Sequence, residues 1–268
     1  MLDAAPHPLQ RSKGTARVVL GSDGRVVDLF QQGSAKAMLP KVHSKAPEVV
    51  FLNTSGGLTG GDRLSLSLSI AAGSTVMGAT QTAERAYASG GDSAEVDVSI
   101  EVGVDGFCLW LPQETIMFDA SSLKRRTNVL LEEGARFLGV ETLVLGRQAM
   151  NETLSGINLV DVRQVFDTRG QPLHAEHIEL SPDTLSRRTA KAGLAGNSVF
   201  ASLVYIAEDA EDRLDAVRSR LGSTCVASAW NDRLVVRAEG DDSWTIRKQL
   251  IPIIEYLGAG RIPRVWQT

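Results

Sequence analysis

Carboxylates set in glycine-rich or apolar surroundings are the residues of this 268-residue chain best suited to chemistry. Asp62 closes the stretch Asn53–Asp62, NTSGGLTGGD, behind two glycine pairs, Gly56–Gly57 and Gly60–Gly61. Glu114 and Asp119 flank Thr115-Ile116-Met117-Phe118, Glu141 interrupts the apolar run Phe137–Leu145, Glu152 follows Arg147, and Glu176 follows Pro172-Leu173. A buried carboxylate is costly unless paired or hydrogen-bonded. Each is therefore either a structural partner, as Glu152 would be in an ion pair with Arg147, or an oxygen ligand along a polar passage or interface. The residues alone leave both open.

Other chemistries fail on spacing. A phosphate loop needs Lys-Ser/Thr after its last glycine and a helix behind it. Here Gly61 is followed by Asp62, Arg63 and a strand pattern, and a dinucleotide fingerprint fails for the same missing helix. No GxSxG is present. The four histidines, His7, His43, His174 and His177, read as tail and surface-loop residues. His174 and His177, three apart on a strand, point to opposite faces and make no tight metal centre. Cys108 and Cys225 stand outside any CxxC spacing, which predicts reduced thiols and a cytoplasmic location, with Cys108 a buried small hydrophobe.

The elements that must position these groups are mostly strands. Leu64-Ser65-Leu66-Ser67-Leu68-Ser69-Ile70 alternates without a break, so the four apolar side chains are expected inward and the serines outward. Ala94–Val102 alternates in the same way, its acidic stripe reading as a solvated face of the kind antiparallel sheets carry. Thr15–Leu20 and Arg25–Phe30 flank a hairpin turn at Gly21-Ser22-Asp23-Gly24, and further strands are expected at Glu48–Leu52, Phe107–Leu111, Thr127–Glu132, Phe137–Leu145 and Ile157–Phe166. No helical stretch is long enough to separate parallel strands, and no fixed-period repeat is present. The last quarter changes: helices are expected near 208–222 and 243–258, with Pro252 kinking or shortening the second, and a strand at Leu234–Ala238 between them. The class is mainly β, with residues 1–14 as a loose tail rather than a signal peptide and 15–268 as one domain.

A formal net charge of −4 and a pI near 5.6 supply no bulk attraction to nucleic acid. No run of eighteen apolar residues is present to span a membrane.

Five separated segments, SGGLTGGD at Ser55–Asp62, TQTAERAYAS at Thr80–Ser89, LWLPQETIMFDAS at Leu109–Ser121, LGRQAMNE at Leu145–Glu152 and PRVW at Pro263–Trp266, resemble in order and spacing the urease accessory protein UreD (UreH) family. Two departures stand out: Asn151 where the family commonly has glycine, and Ala88 where it often has arginine. Asn tolerates left-handed backbone, so the first need not disturb a turn, whereas the second removes a charge from a pair or an interface.

The resemblance implies a helically wound, two-layer β scaffold with a couple of α-helices, and a non-enzymatic role in assembling the urease nickel centre. It implies binding to apo-urease, recruitment of UreF-type and UreG-type partners (the latter the GTPase), and an internal polar passage carrying nickel in transit, with no tightly bound cofactor. Scattered carboxylates suit such a role, because a closed His/Cys cage would trap nickel. Asp62 and Glu176 are the candidate passage residues, with Thr80 and Gln81 as neutral neighbours, and the C-terminal helices with Trp266 are a candidate surface for the UreF-type partner. Two other classes compete: a hydrolase or lyase using Glu114 and Asp119, and a ligand-binding module, against which 5% aromatic content argues.

Overall fold

The computed structural model describes residues 10–41, 46–147, 150, 152, 154–190 and 193–267, and strands follow one another along most of that length. In chain order they are β1 (Lys13–Leu20), β2 (Val26–Gly33), β3 (Ala35–Met38), β4 (Glu48–Asn53), β5 (Arg63–Ile70), β6 (Thr75–Thr80), β7 (Glu84–Ala86), β8 (Ala94–Val102) and β9 (Phe107–Trp110). Then come β10 (Thr115–Met117), β11 (Ser122–Leu131), β12 (Arg136–Leu145), β13 (Asn158–Asp167), β14 (Pro172–Leu180), helix α1 (Pro182–Ser186) and β15 (Val199–Ile206). The chain finishes with α2 (Leu214–Arg218), β16 (Cys225–Trp230), β17 (Arg233–Gly240), α3 (Ser243–Leu257) and a 3-10 turn, Arg264–Trp266.

Two sheets form. One has the order β14-β13-β11-β8-β5-β1-β2, the other β16-β17-β15-β12-β9-β6-β4-β3, with β10 and β7 attached beside β12. Between β4 and β13 the longer strands fall alternately in the two sheets, so the chain winds round the core. Neighbours β5, β8, β11 and β13 are consequently parallel, as are β4, β6, β9 and β12. The alternating faces predict antiparallel sheets and the lack of crossover helices predicts no parallel ones, and the structure overturns both. A parallel pair needs a long crossover, and here a strand of the opposite sheet supplies it.

The layers explain two kinds of strand sequence. The first sheet buries one face only: Leu64, Leu66, Leu68 and Ile70 on β5, and Val96, Val98, Ile100 and Val102 on β8, all point into the space between the sheets. The wet face carries charge in pairs, Arg63 with Glu95 at 3.2 Å and Arg126 with Asp97 at 3.7 Å, so the acidic stripe of β8 is met by its neighbours. The second sheet is covered on both faces, by the first sheet and by the C-terminal helices. Its strands are near-continuously apolar for that reason, as in Phe107-Cys108-Leu109-Trp110, where every residue is buried.

Helix α3 starts at Asp242, whose carboxylate accepts from Thr245 N at 2.8 Å, and runs through Pro252 without ending there. Ile246, Leu250, Ile253, Ile254 and Leu257 bury one stripe on the second sheet, worth roughly 7–15 kcal/mol gross before chain ordering is set against it. The helix expected near 208–222 is α-helical only over Leu214–Arg218, the residues before it forming turns. Trp266 is buried, its Nε1 donating to Leu111 O at 2.8 Å, so it packs on its own chain rather than offering a surface. Among the described residues no helix is long and apolar enough to cross a membrane.

Candidate functional site

The glycine stretch is a tight turn locked to its neighbours. Leu58 N donates to Arg85 O and Tyr87 N to Leu58 O, both at 2.7 Å, so the turn runs alongside β7. Gly57 has φ +147°, and a Cβ there would overlap the Tyr87 ring; one on Gly60 would overlap the Asp92 carbonyl oxygen and the Ser89 hydroxyl. Asp62 is buried and both its oxygens are engaged: Oδ1 accepts from Ser12 N at 2.7 Å, Oδ2 from Thr59 N at 2.9 Å. It ties the turn to the start of β1.

Between the sheets lies a chain of alternating charge. Arg125 on β11 pairs two-pronged with Asp161 on β13 (3.0 and 2.7 Å) and donates to Thr115 Oγ1 at 2.9 Å. Glu141 on β12 accepts from Trp110 Nε1 at 3.2 Å, and its Oε2 lies 2.7 Å from Arg125 Nη1 as an ion pair without hydrogen-bond alignment. Arg163 joins Asp161 to Glu176, the latter at 3.1 Å; Glu176 in turn pairs with Arg237 at 2.6 Å and accepts from Ser202 Oγ at 3.0 Å. Burial alone would raise the Asp161 pKa, but Arg125 and Arg163 outweigh it and hold the carboxyl well below its ordinary range. Three carboxylates face three guanidiniums, so the chain is formally neutral.

Three small cavities follow this polar seam. The first, about 50 Å³, is walled by Asn53, Thr80 and Glu84 and by the exposed Gly56, Gln81 and Arg85, so it reaches the surface. The second, about 40 Å³, shares Thr80 and Glu84 with it and continues to Gln113, Thr115, Arg125 and Glu141. The third, about 30 Å³, shares Trp110 and Glu141 with the second and ends at Arg163, His174, Glu176 and Ser202. Each is roomy enough for water, which needs about 10–15 Å³ and polar partners. Thr127 Oγ1, buried in the wall of the third, has no hydrogen-bond partner among the described residues.

Of the residues expected to line a passage, Glu176, Thr80 and Gln81 stand in these walls. Asp62 lies outside the three linings, four strand spacings from Glu176, about 19 Å across the sheet. Thr80 Oγ1 accepts from Gln113 N at 2.9 Å. Glu114 pairs with Arg247 at 2.8 Å, whereas Asp119 accepts from the Ser155 and Gly156 amides, so the two serve separate networks. Arg147 and Glu152 form the expected pair at 2.7 Å. Asn151, Gln148 and Ala149, like His7 and His43, lie outside the described residues.

His174 is a correction. It is no loop residue but sits in β14, buried and facing the third cavity, while His177 is exposed on the opposite face. Burial first, with Arg237, Arg233 and Arg163 adding, pushes its pKa down to about 4 against the pull of Glu176, so it is a neutral imidazole. Cys108 is buried, and burial pushes its thiol up to about 12, as suits a packing residue. Among the described residues no three His, Cys, Asp or Glu side chains converge as a metal cage.

Comparison with known proteins decides the family. The model of the UreD urease accessory protein family matches residues 12–267. The chain belongs to that family. A urease accessory protein UreD of Cereibacter sphaeroides is 47% identical over 97% of this chain and 96% of its own. Those of Paracoccus denitrificans and a Jannaschia species are 43% and 44% identical, each over the whole of this chain and 97% and 100% of their own. The family-typical segments surround the seam: SGGLTGGD and TQTAERAYAS wall the first cavity, and LWLPQETIMFDAS supplies Trp110, Gln113 and Thr115 to the second.

Proposed function

We propose that the chain is a non-catalytic scaffold in urease maturation, in the cytoplasm. It binds apo-urease, recruits UreF-type and UreG-type partners, and lets nickel pass between its sheets as cargo. The observation that carries this is the run of three cavities sharing walls at Thr80–Glu84 and at Trp110–Glu141, from the glycine-rich turn to Glu176. Their lining offers carboxylate and hydroxyl oxygens and one neutral imidazole, and the guanidiniums balance the carboxylates. Such a path gives a hydrated divalent ion weak partners and no trap, since soft or imidazole-rich cages bind nickel tightly. Glu176 stands at the inner end, and Asp62, outside the linings, holds the glycine-rich turn at the surface mouth. On the outer side of α3, the exposed Trp244 is the surface for the UreF-type partner.

The test is urease activation in cells, read beside capture of the partners. Val98→Phe fills the second cavity, which Val98 lines, and is expected to abolish activation while the complex still assembles. Asp62→Ala and Glu176→Ala are expected to lower activation with assembly intact. Full activation by the double variant, or by Val98→Phe, would sink the passage.

A further inference from the structure

The carboxylates that wall the three cavities are Glu84, Glu141 and Glu176. Glu141 and Glu176 each lie against a guanidinium. Glu84 is different. Among the described residues no Arg or Lys makes an ion pair with it, and its side-chain partner is the Asn53 amide, which donates to both oxygens at 3.3 Å. It also stands at a junction, in the walls of both the cavity that reaches the surface and the inner one. The Cα register pairs Glu84 with Thr115 on β10, and the Glu84 amide donates to Glu114 O at 2.9 Å, so the backbone is fixed.

We propose that Glu84 is the gate carboxylate at the mouth of the seam, where a hydrated divalent cation exchanges with a proton. The cation enters past Gln81, the Glu84 O–H bond breaks, the carboxylate takes the cation as an oxygen ligand, and the proton leaves to bulk water. No electron moves. The charged groups around the site set its balance: Arg85 favours the ionised form, Asp62 opposes it, and across the inner cavity Arg125 and Glu141 face each other as a pair. Burial is the largest influence and lifts the carboxyl to about 7, so it is half protonated near neutrality and mostly protonated at pH ~6. This assignment rests on the passage proposed above and adds to it a site and a proton count.

The full chain, titrated with Ni²⁺ in weakly buffered solution at pH ~6, one unit below the Glu84 midpoint, tests it. The unaltered chain is expected to release about one proton more per bound Ni²⁺ than Glu84→Gln. Glu84→Gln should bind Ni²⁺ about tenfold more weakly, at the lower end of what losing a supporting partner costs a metal site. Glu84→Asp, which keeps the charge, should restore proton release even if Glu84→Gln folds poorly. Equal proton release by the unaltered chain and both variants overturns the gate. Urease activation separates the two proposals. Activation lost in Val98→Phe but full in Glu84→Gln keeps the passage and overturns Glu84 as its gate. Full activation in Val98→Phe, with proton release lost in Glu84→Gln, overturns the passage and leaves Glu84 as a cation site.

Discussion

Arg125 and Asp161 form a two-pronged pair at 3.0 and 2.7 Å, on neighbouring parallel strands with both side chains buried between the sheets. Removing one partner of such a pair strands a buried charge, which costs about 3–5 kcal/mol. Asp161→Asn would leave Arg125 and Arg163 without their shared carboxylate. The expected loss is of that order at neutral pH, read as a lower denaturation midpoint in urea. The sign with pH follows from the depressed Asp161 pKa. Its stabilisation is full above the unfolded value of about 3.9 and disappears as pH falls through the folded value. The gap between the two proteins should therefore close in strong acid.

Glu84 works in the opposite direction. Burial raises its pKa to about 7, so the folded state holds the proton more tightly than the unfolded chain. The stability this lends is complete below about pH 4.3, and declines as pH climbs through about 7. Glu84→Gln cannot ionise and escapes the decline. Its stability relative to the unaltered chain should improve by about 3 kcal/mol between pH ~4 and pH ~8. Denaturant melts at the two pH values check it, and a flat difference would mean that the carboxyl ionises without hindrance.

Much of the first sheet was legible because a strand wet on one face repeats every two residues, as β5 and β8 do. The second sheet was harder: covered on both faces, β9 and β12 show no alternation that distinguishes them from other buried segments. Parallel pairing could not be read, because its crossover is a strand of the other sheet rather than a helix. The charged seam does leave a signal in the sequence. Arg125 has the same parity as Leu123, Val129 and Leu131, and Asp161 and Arg163 the same as Leu159 and Val165. A charge at the inward parity of an alternating strand has to meet an opposite charge in the core. Glu84 gave no such sign, since β7 is only three residues long. The burial of His174 is not legible because its strand, an edge strand with a mostly wet face, reads as polar.

Two tryptophans near the C-terminus should behave differently. Trp266 is buried, with Arg247 stacked 5.0 Å from its ring centroid, and Gln113 Nε2 fixes the adjoining Val265 carbonyl at 2.7 Å. Trp266→Ala is expected to cost about 3–5 kcal/mol. Trp244 is 47% exposed in the first turn of α3. Trp244→Ala should change stability by no more than about 0.5 kcal/mol while weakening capture of the UreF-type partner. Thermal melts and pull-down together check this. Unchanged capture would take the partner surface away from the outer side of α3.

The glycine-rich turn owes its sequence to close packing, and two glycines separate that from mere loop composition. Gly60 has ordinary negative φ, yet a Cβ would overlap the Asp92 carbonyl oxygen and the Ser89 hydroxyl. Gly90, in the Ser89–Asp92 loop that packs against the turn, has open space around it and no left-handed backbone. Gly60→Ala must push the Ser89–Asp92 loop off the turn, an overpacking cost of about 1–3 kcal/mol. Gly90→Ala meets nothing and stiffens the unfolded chain, a gain of about 0.4–1 kcal/mol. Because Asp62 and the Leu58–Arg85 hydrogen bond depend on the same turn, Gly60→Ala should also disturb the cavity mouth at Glu84 and lower urease activation. Gly90→Ala should leave activation unchanged. Paired denaturation and activation measurements decide the matter: equal stability of the two variants would show that the turn yields freely and does not fix the mouth.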